Sequence, residues 1–373
     1  MLKNTILKIF IKLLAFIFLI ARAIGSTIYS RPNKAVLVIE SGSKGWEILE
    51  YKELFKSAAE YLNQDSVIKL SIIKEKGYIT QIKDCIKTHK PSHYLYDSRT
   101  GNQNSFLGFL EAMRIGLILS FYNIIPICTL TDFPVTAWKI KTAIVSARKG
   151  IVTSLMHPKD VHISFPHKRL IGPQIMALSQ ETFNKILKIK EEKELVSKYH
   201  QDILFSGSLY EPRKTIFEEI ESQIKNKNIT YTFGGKLLGE KKSSDEEYWK
   251  SFIYSKIVIT TANQLEGIGQ DFSHLPHLIY RYLEVLACGS VLCAQKVPGV
   301  EKYFQPDKDF IAFKTPEEAI KKILHYLDEP EKLSKVANNG YKKATYLINA
   351  RTYWLNIDNA LYKDSMLYRI QRL

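Results

Sequence analysis

Arg281 and Glu284 stand three residues apart in the run Tyr280-Arg281-Tyr282-Leu283-Glu284-Val285-Leu286-Ala287-Cys288-Gly289-Ser290. On a helix that spacing puts both side chains on one face. Leu283, Leu286 and Ala287 fall on the packing face. A guanidinium donates paired hydrogen bonds to a phosphate, and a helix N-terminus carries partial positive charge that favours the same anion. A carboxylate beside them accepts from ribose hydroxyls. The trio suits a nucleotide. The same spacing also fits an intrahelical ion pair on a solvated face.

Other chemistry-bearing residues are scattered. The loop Ser41-Gly42-Ser43-Lys44-Gly45 follows an apolar run, where glycine lets backbone approach a ligand. It lacks the phosphate-loop patterns, so Gly42 and Ser43 stand as acceptor-side candidates against a plain turn. Asp97 and Asp132 each close an apolar run. Either could serve as a base or acceptor ligand, or simply cap a helix. His274 and His277 flank Pro276 just before the Arg281 helix. His157, His162 and His167 recur at an odd spacing that sends alternate side chains to opposite faces of an extended chain. They do not converge, and no metal site is expected. No nucleophile elbow is present.

The elements that must position these residues alternate. Strands are expected at residues 35–40, 67–73, 93–96, 124–130 and 151–155, with helices at 47–62, 79–88, 106–121 and 135–148. The segment 157–193 breaks the rhythm with Pro158, Pro166, Gly172 and Pro173, then a charged helical run. Alternation resumes with strands at 203–206, 230–233, 256–261, 291–294 and 310–313. Helices are expected from Pro212, at 246–254, 278–287, 316–327 and 331–347. Such succession predicts parallel sheets with helices on both faces. The expected order is a membrane-associating helix at 1–32, a Rossmann-like domain at 33–170, a linker at 171–200, a second Rossmann-like domain at 201–347 and a helical tail. Two such domains place a ligand cleft between them.

The 373 residues are 45% hydrophobic and 24% charged, an ordinary globular balance. Cys85, Cys128, Cys288 and Cys293 show no metal spacing and read as reduced thiols of a cytoplasmic protein. A net charge of +15 points to phosphorylated ligands or an anionic membrane. No zinc-finger, helix-turn-helix or aromatic-basic pattern is present, so nucleic acid is not expected.

Residues 6–24 are mostly apolar but carry Lys8, Lys12 and Arg22. The uncharged stretch from Leu13 to Ala21 is too short to cross a hydrocarbon core of about 30 Å. A helix lying in the interface, lysines toward anionic headgroups, is the first reading. A tilted anchor and a cleaved signal peptide, with Ala21-Arg22-Ala23 at the cleavage site, stay open.

The run from Tyr280 to Leu347 resembles the C-terminal domain of GT-B glycosyltransferases of the group 1 type, close to the CgeB-like enzymes. The resemblance rests on Arg281-x-x-Glu284-x-x-x-x-Gly289, then Pro298-Gly299-Val300-Glu301, Asp309-Phe310-Ile311-Ala312-Phe313, Pro316-Glu317-Glu318 and Ala337-Asn338-Asn339-Gly340-Tyr341. Upstream, Phe205-Ser206-Gly207-Ser208-Leu209-Tyr210-Glu211-Pro212-Arg213 resembles the first strand-loop-helix of that domain. It covers roughly residues 200–350 and implies a GT-B fold, two doubly wound α/β domains, with the donor on the second and the acceptor on the first.

The resemblance further implies that Glu284 accepts from the donor ribose. Amides at the start of the Arg281 helix would face the diphosphate. Arg213 and Arg281 would neutralise the leaving nucleoside diphosphate in place of a metal ion. Gly207, Lys236, His274, Tyr280, Gly289 and Ser290 would complete the donor site. No cofactor is implied beyond the nucleotide-sugar substrate. The expected activity is sugar transfer to a lipid-linked or surface-polysaccharide acceptor on the cytoplasmic face of a membrane. The acidic partner that many retaining relatives carry would fall at Pro276, and Glu266 is at the wrong spacing. Transfer of a glycerophosphate or polyol phosphate, or sugar-nucleotide binding without turnover, are the alternatives.

Overall fold

A computed structural model describes residues 2–29, 32–40, 54, 57–62, 64–72, 77–97, 105–130, 136–154, 170–196, 199–207, 209, 213–234, 245–261 and 277–362. They form two compact units, residues 1–174 with 350–373, and residues 175–349.

The first unit opens with α1 (Leu2–Ile28), followed by β1 (Asn33–Glu40), β2 (Ser66–Ser71), α2 (Tyr78–His89), β3 (Pro91–Asp97), α3 (Ser105–Phe121), β4 (Ile125–Leu130), α4 (Thr136–Val145), β5 (Ile151–Ser154) and β6 (Leu170–Ile171). Its strands pair in parallel in the order β2-β1-β3-β4-β5-β6. The inner strands β3 and β4 are buried almost throughout, as a sheet covered on both faces requires. Asp97, at the carboxyl end of β3, is in register with Thr129 of β4. The expected helix at 47–62 lies mostly outside the described residues; 57–61 are helical.

The second unit contains α5 (Gln180–Val196), β7 (Gln201–Ser206), α6 (Arg213–Ile224), β8 (Tyr231–Gly234), α7 (Asp245–Ile253), β9 (Ser255–Thr260), α8 (Arg281–Ala287), β10 (Val291–Gln295), β11 (Ile311–Phe313), α9 (Pro316–Asp328) and α10 (Pro330–Thr345). The parallel order is β11-β10-β9-β7-β8. Thr315 caps α9, accepting from the Glu318 amide, with Pro316 at the first helical position. At α10, Gly340 admits the main chain of Asp309: a Cβ there would stand 2.4 Å from the Asp309 carbonyl oxygen.

The domain boundaries differ from those read in the sequence. Residues 175–196, taken as linker, belong to the second unit, because α5 turns Phe183, Ile186 and Ile189 into its core. The C-terminal helix α11 (Arg351–Tyr362) belongs to the first unit. There Trp354 Nε1 donates to Leu54 O over 3.1 Å, and Gln174 Nε2 donates to Tyr353 O over 2.9 Å. The N-terminal helix is part of the same unit, with Ile11, Leu14 and Phe18 buried in its core.

Candidate functional site

The centre of the second unit's site is a buried charge pair. Arg281 begins α8, and its Nε lies 3.5 Å from Glu284 Oε2. The neighbouring helix α7 supplies the surroundings. Tyr248 and Phe252, four residues apart, share one of its faces. The Arg281 guanidinium carbon lies 4.9 Å from the Phe252 ring centroid and 5.4 Å from that of Tyr248. The Tyr248 hydroxyl donates to Glu284 Oε1 over 2.7 Å. Glu284 is only 8% exposed. The alternative of a pair on a solvated face does not hold: the pair is intrahelical but buried, and an aromatic face holds the guanidinium.

Burial raises the Glu284 carboxyl above the ordinary range, opposed by the Arg281 charge and the Tyr248 hydroxyl. Burial likewise pushes the Tyr248 phenol well up, so it stays a donor. Arg281 Nη1 is buried and has no hydrogen-bond partner among the described residues. A buried donor left unmatched costs about 1–3 kcal/mol, more when charged. Such an atom asks for an acceptor that a ligand supplies.

The amides at the helix start are partly engaged. The amides of Leu283 and Glu284 both bond to Tyr280 O, at 2.8 and 3.1 Å, and Tyr282 N bonds to Ile279 O at 3.2 Å. Three amides of the first turn are thus engaged within it.

Arg213 forms a second cluster. It begins α6 and its Nε donates to Thr261 Oγ1 over 3.0 Å. Its guanidinium carbon is 5.5 Å from the Phe205 ring centroid. Phe205 lies near the carboxyl end of β7, and Thr261 follows β9, its sheet neighbour. Arg213 therefore sits over the carboxyl edge of two adjacent strands, where open α/β sheets bind ligands. Gly207 is next to it, with φ of +152°, and a Cβ there would stand 3.1 Å from the Phe205 ring and 3.7 Å from Arg213 Nη1.

Two expected donor residues sit elsewhere. Gly289 and Ser290 immediately precede β10, on the amino edge of the sheet. Gly289 has φ of +80° and faces Lys190, whose Nζ would be 2.8 Å from an added Cβ. Ser290 Oγ donates to Phe252 O over 2.6 Å. Gly289 closes the helix, and Ser290 holds the chain after it to α7. Tyr280 ties α8 to the chain before α5, its hydroxyl donating to Ala177 O over 3.3 Å. His277 is buried. Lys236, His274, Gly42, Ser43 and Asp132 lie outside the described residues.

In the first unit, Asp97 is half-buried at the carboxyl end of β3. Its charge reaches Lys141 of α4, as does that of Glu111 of α3. Burial draws the Lys141 ammonium below the ordinary lysine range, and the two carboxylates oppose that. The sequence reading missed Lys141, Glu111, Tyr248, Phe252 and Thr261. The aromatic pair of α7 was visible only as helical spacing; nothing in the sequence placed it beside Glu284. Among the described residues no group of three His, Cys, Asp or Glu side chains could hold a metal ion.

Residues 213–353 match the family described as glycosyl transferase-like. That span holds Arg213, the Arg281–Glu284 pair and Tyr248. The chain carries a glycosyltransferase domain over that span.

Solved structures share the glycosyltransferase's fold at low identity. HepE of Anabaena, crystallised with UDP and glucose, is 10% identical with a TM-score of 0.55, the match covering 88% of this chain and 99% of HepE. A glycosyltransferase of Rickettsia africae is 13% identical with a TM-score of 0.55, covering 90% and 100%. Sucrose-phosphate synthase of Thermosynechococcus elongatus is 13% identical with a TM-score of 0.54, covering 90% and 98%. These likenesses concern the fold. No curated protein matches the glycosyltransferase in sequence.

Proposed function

We propose that this glycosyltransferase takes its sugar from a nucleotide-sugar donor held on the second unit. The acceptor is lipid-linked or a surface polysaccharide, met at the cytoplasmic face of a membrane, and no metal ion takes part. The observation that carries the donor reading is the buried guanidinium of Arg281, with Nη1 unmatched inside the glycosyl transferase-like domain. HepE, which shares the fold, was crystallised with UDP-glucose.

In the transfer, the bond from the anomeric carbon to the diphosphate oxygen breaks and a bond to an acceptor oxygen forms. Negative charge grows on the leaving diphosphate. Arg281 and Arg213 neutralise it, and fixed donors aimed at developing charge supply a large catalytic term. Glu284 orients Arg281 through its Oε2. An ionised carboxylate has about four acceptor positions, so Glu284 also has capacity for a ribose hydroxyl. Asp97 is the acceptor-side carboxylate that takes the hydroxyl proton. The N-terminal helix brings the enzyme to the leaflet where lipid-linked acceptors reside.

The test is turnover. Full-length protein is incubated with a panel of nucleotide sugars and a membrane lipid extract, and products are weighed by mass spectrometry. Addition of a sugar mass supports the reading. Addition of a phosphoglycerol mass, or tight nucleotide binding with no product across the panel, overturns it.

A further inference from the structure

The helix α1 has three faces. At about 100° per residue, Ile11, Leu14, Phe18 and Ala21 form one stripe, and all are buried. That stripe is pinned to α3 along its length. Phe10 stacks on Phe109 at 5.6 Å, and Phe18 fills the space over Gly116, where a Cβ would stand 2.6 Å from its ring. Gly25 lies on the Phe121 backbone, where a Cβ would come within 1.9 Å of the carbonyl oxygen. The two helices run side by side in the same direction.

A second stripe, Ile9, Leu13, Phe16, Ile20 and Ile24, is apolar and faces away, with exposures of 47–63%. Beside the Phe10–Phe109 stack, α3 adds Phe106, 69% exposed. Water-facing apolar side chains in such a row mark an interaction surface. The third face carries exposed Lys8 and Lys12, and Arg22. Arg22 lies within electrostatic reach of Arg148, which follows α4. Neither arginine has an acidic partner among the described residues, and Arg148 Nη2 is buried without a hydrogen-bond partner. Two cations within electrostatic reach and without a counter-charge among the described residues favour an anion supplied from outside.

We infer that the outer stripe of α1, with Phe106 of α3, inserts side-on into a bilayer leaflet, and that Arg22 and Arg148 together grip a lipid headgroup phosphate. This rests on the membrane reading above. It adds the depth and orientation of the contact: the inner stripe stays on the protein, so α1 lies in the leaflet plane. Among the described residues no helix is long and apolar enough to cross a membrane. Lipid is favoured over a second copy of the chain because exposed Lys8 and Lys12 lie on the face next to the apolar stripe and the arginine pair has no counter-charge among the described residues, which suits anionic headgroups.

The experiment is flotation of the full chain with vesicles of phosphatidylcholine alone or mixed with phosphatidylglycerol. Wild type is expected to float with the mixed vesicles. The triple variant Leu13→Asp, Phe16→Asp, Ile20→Asp is expected to lose that binding by more than about a hundredfold, since three apolar side chains leave the lipid. Arg22→Gln with Arg148→Gln is expected to lose about tenfold on mixed vesicles and little on neutral ones. The shift given by a nucleoside diphosphate should stay as in wild type, because these side chains lie outside the donor unit. If wild type floats and the triple variant floats equally, the surface is wrong and the membrane reading stands. If wild type never floats, both fail. An α1-dependent dimer that the triple variant dissociates, without lipid binding, assigns the face to a second copy and overturns the proposal. An unchanged preference in the double arginine variant overturns the phosphate site.

Discussion

Tyr248 donates its hydroxyl to Glu284 while its ring stands 5.4 Å from the Arg281 guanidinium carbon, so one side chain of α7 steadies both members of the pair on α8. Tyr248→Phe keeps the ring and removes the donor. A buried acceptor then loses its partner, at about 1–3 kcal/mol. The expected result is a lower melting temperature and a weaker nucleoside diphosphate shift, with the far-ultraviolet circular dichroism unchanged. Tyr248→Ala should do more, since it also strips the face from under Arg281.

Arg281→Lys tests the guanidinium itself. An ammonium is a compact point charge and cannot span two rings while reaching Glu284 and a phosphate. Turnover is expected to fall by about ten- to a thousandfold, the range for removing one donor from developing charge. Arg213→Lys should fall by a similar factor through loss of the Thr261 contact and of the fork over Phe205. Initial rates on the productive donor measure both.

Much of this architecture was legible in advance, for identifiable reasons. The strands of both sheets read as short apolar runs because parallel strands are buried on both faces. The helix expected at 316–327 is α9, opening on Pro316. The aromatic setting of Arg281 was not legible, because Tyr248 and Glu284 meet only after two helices pack. Gly289 and Ser290, which the resemblance implied for the donor site, precede β10 at the amino edge of the sheet, because a helix carries its two ends to opposite edges. Residues 175–196 read as linker because charge masked the stripe of Phe183, Ile186 and Ile189.

Gly340 tests the packing of α10 on the donor unit. An added methyl would meet the Asp309 carbonyl oxygen at 2.4 Å and Leu286 Cδ2 at 2.6 Å. Main chain cannot step aside cheaply, so Gly340→Ala is expected to destabilise the second unit by about 1–3 kcal/mol. Urea denaturation should show a lower midpoint for that unit.

His93 gives the first unit a dependence on pH. Burial, with Lys149 nearby, lowers its imidazole from 6.5 to about 4. The folded value lies below the unfolded one, so the unfolded chain takes up the proton first. Stability present above pH 6.5 is lost as pH falls toward 4, by about 3 kcal/mol. His93→Gln should remove that part of the loss, seen as a flatter plot of melting temperature against pH between those values.

The most direct test of the donor site is calorimetric titration of the full chain with UDP, GDP and ADP, repeated on Arg281→Gln and Arg213→Gln. One nucleotide should bind wild type and lose affinity by about tenfold or more in each variant, since a charge-assisted hydrogen bond contributes about 1.5–3 kcal/mol. Equal affinity for that nucleotide in wild type and in both folded variants would contradict the assignment of the diphosphate to these two arginines.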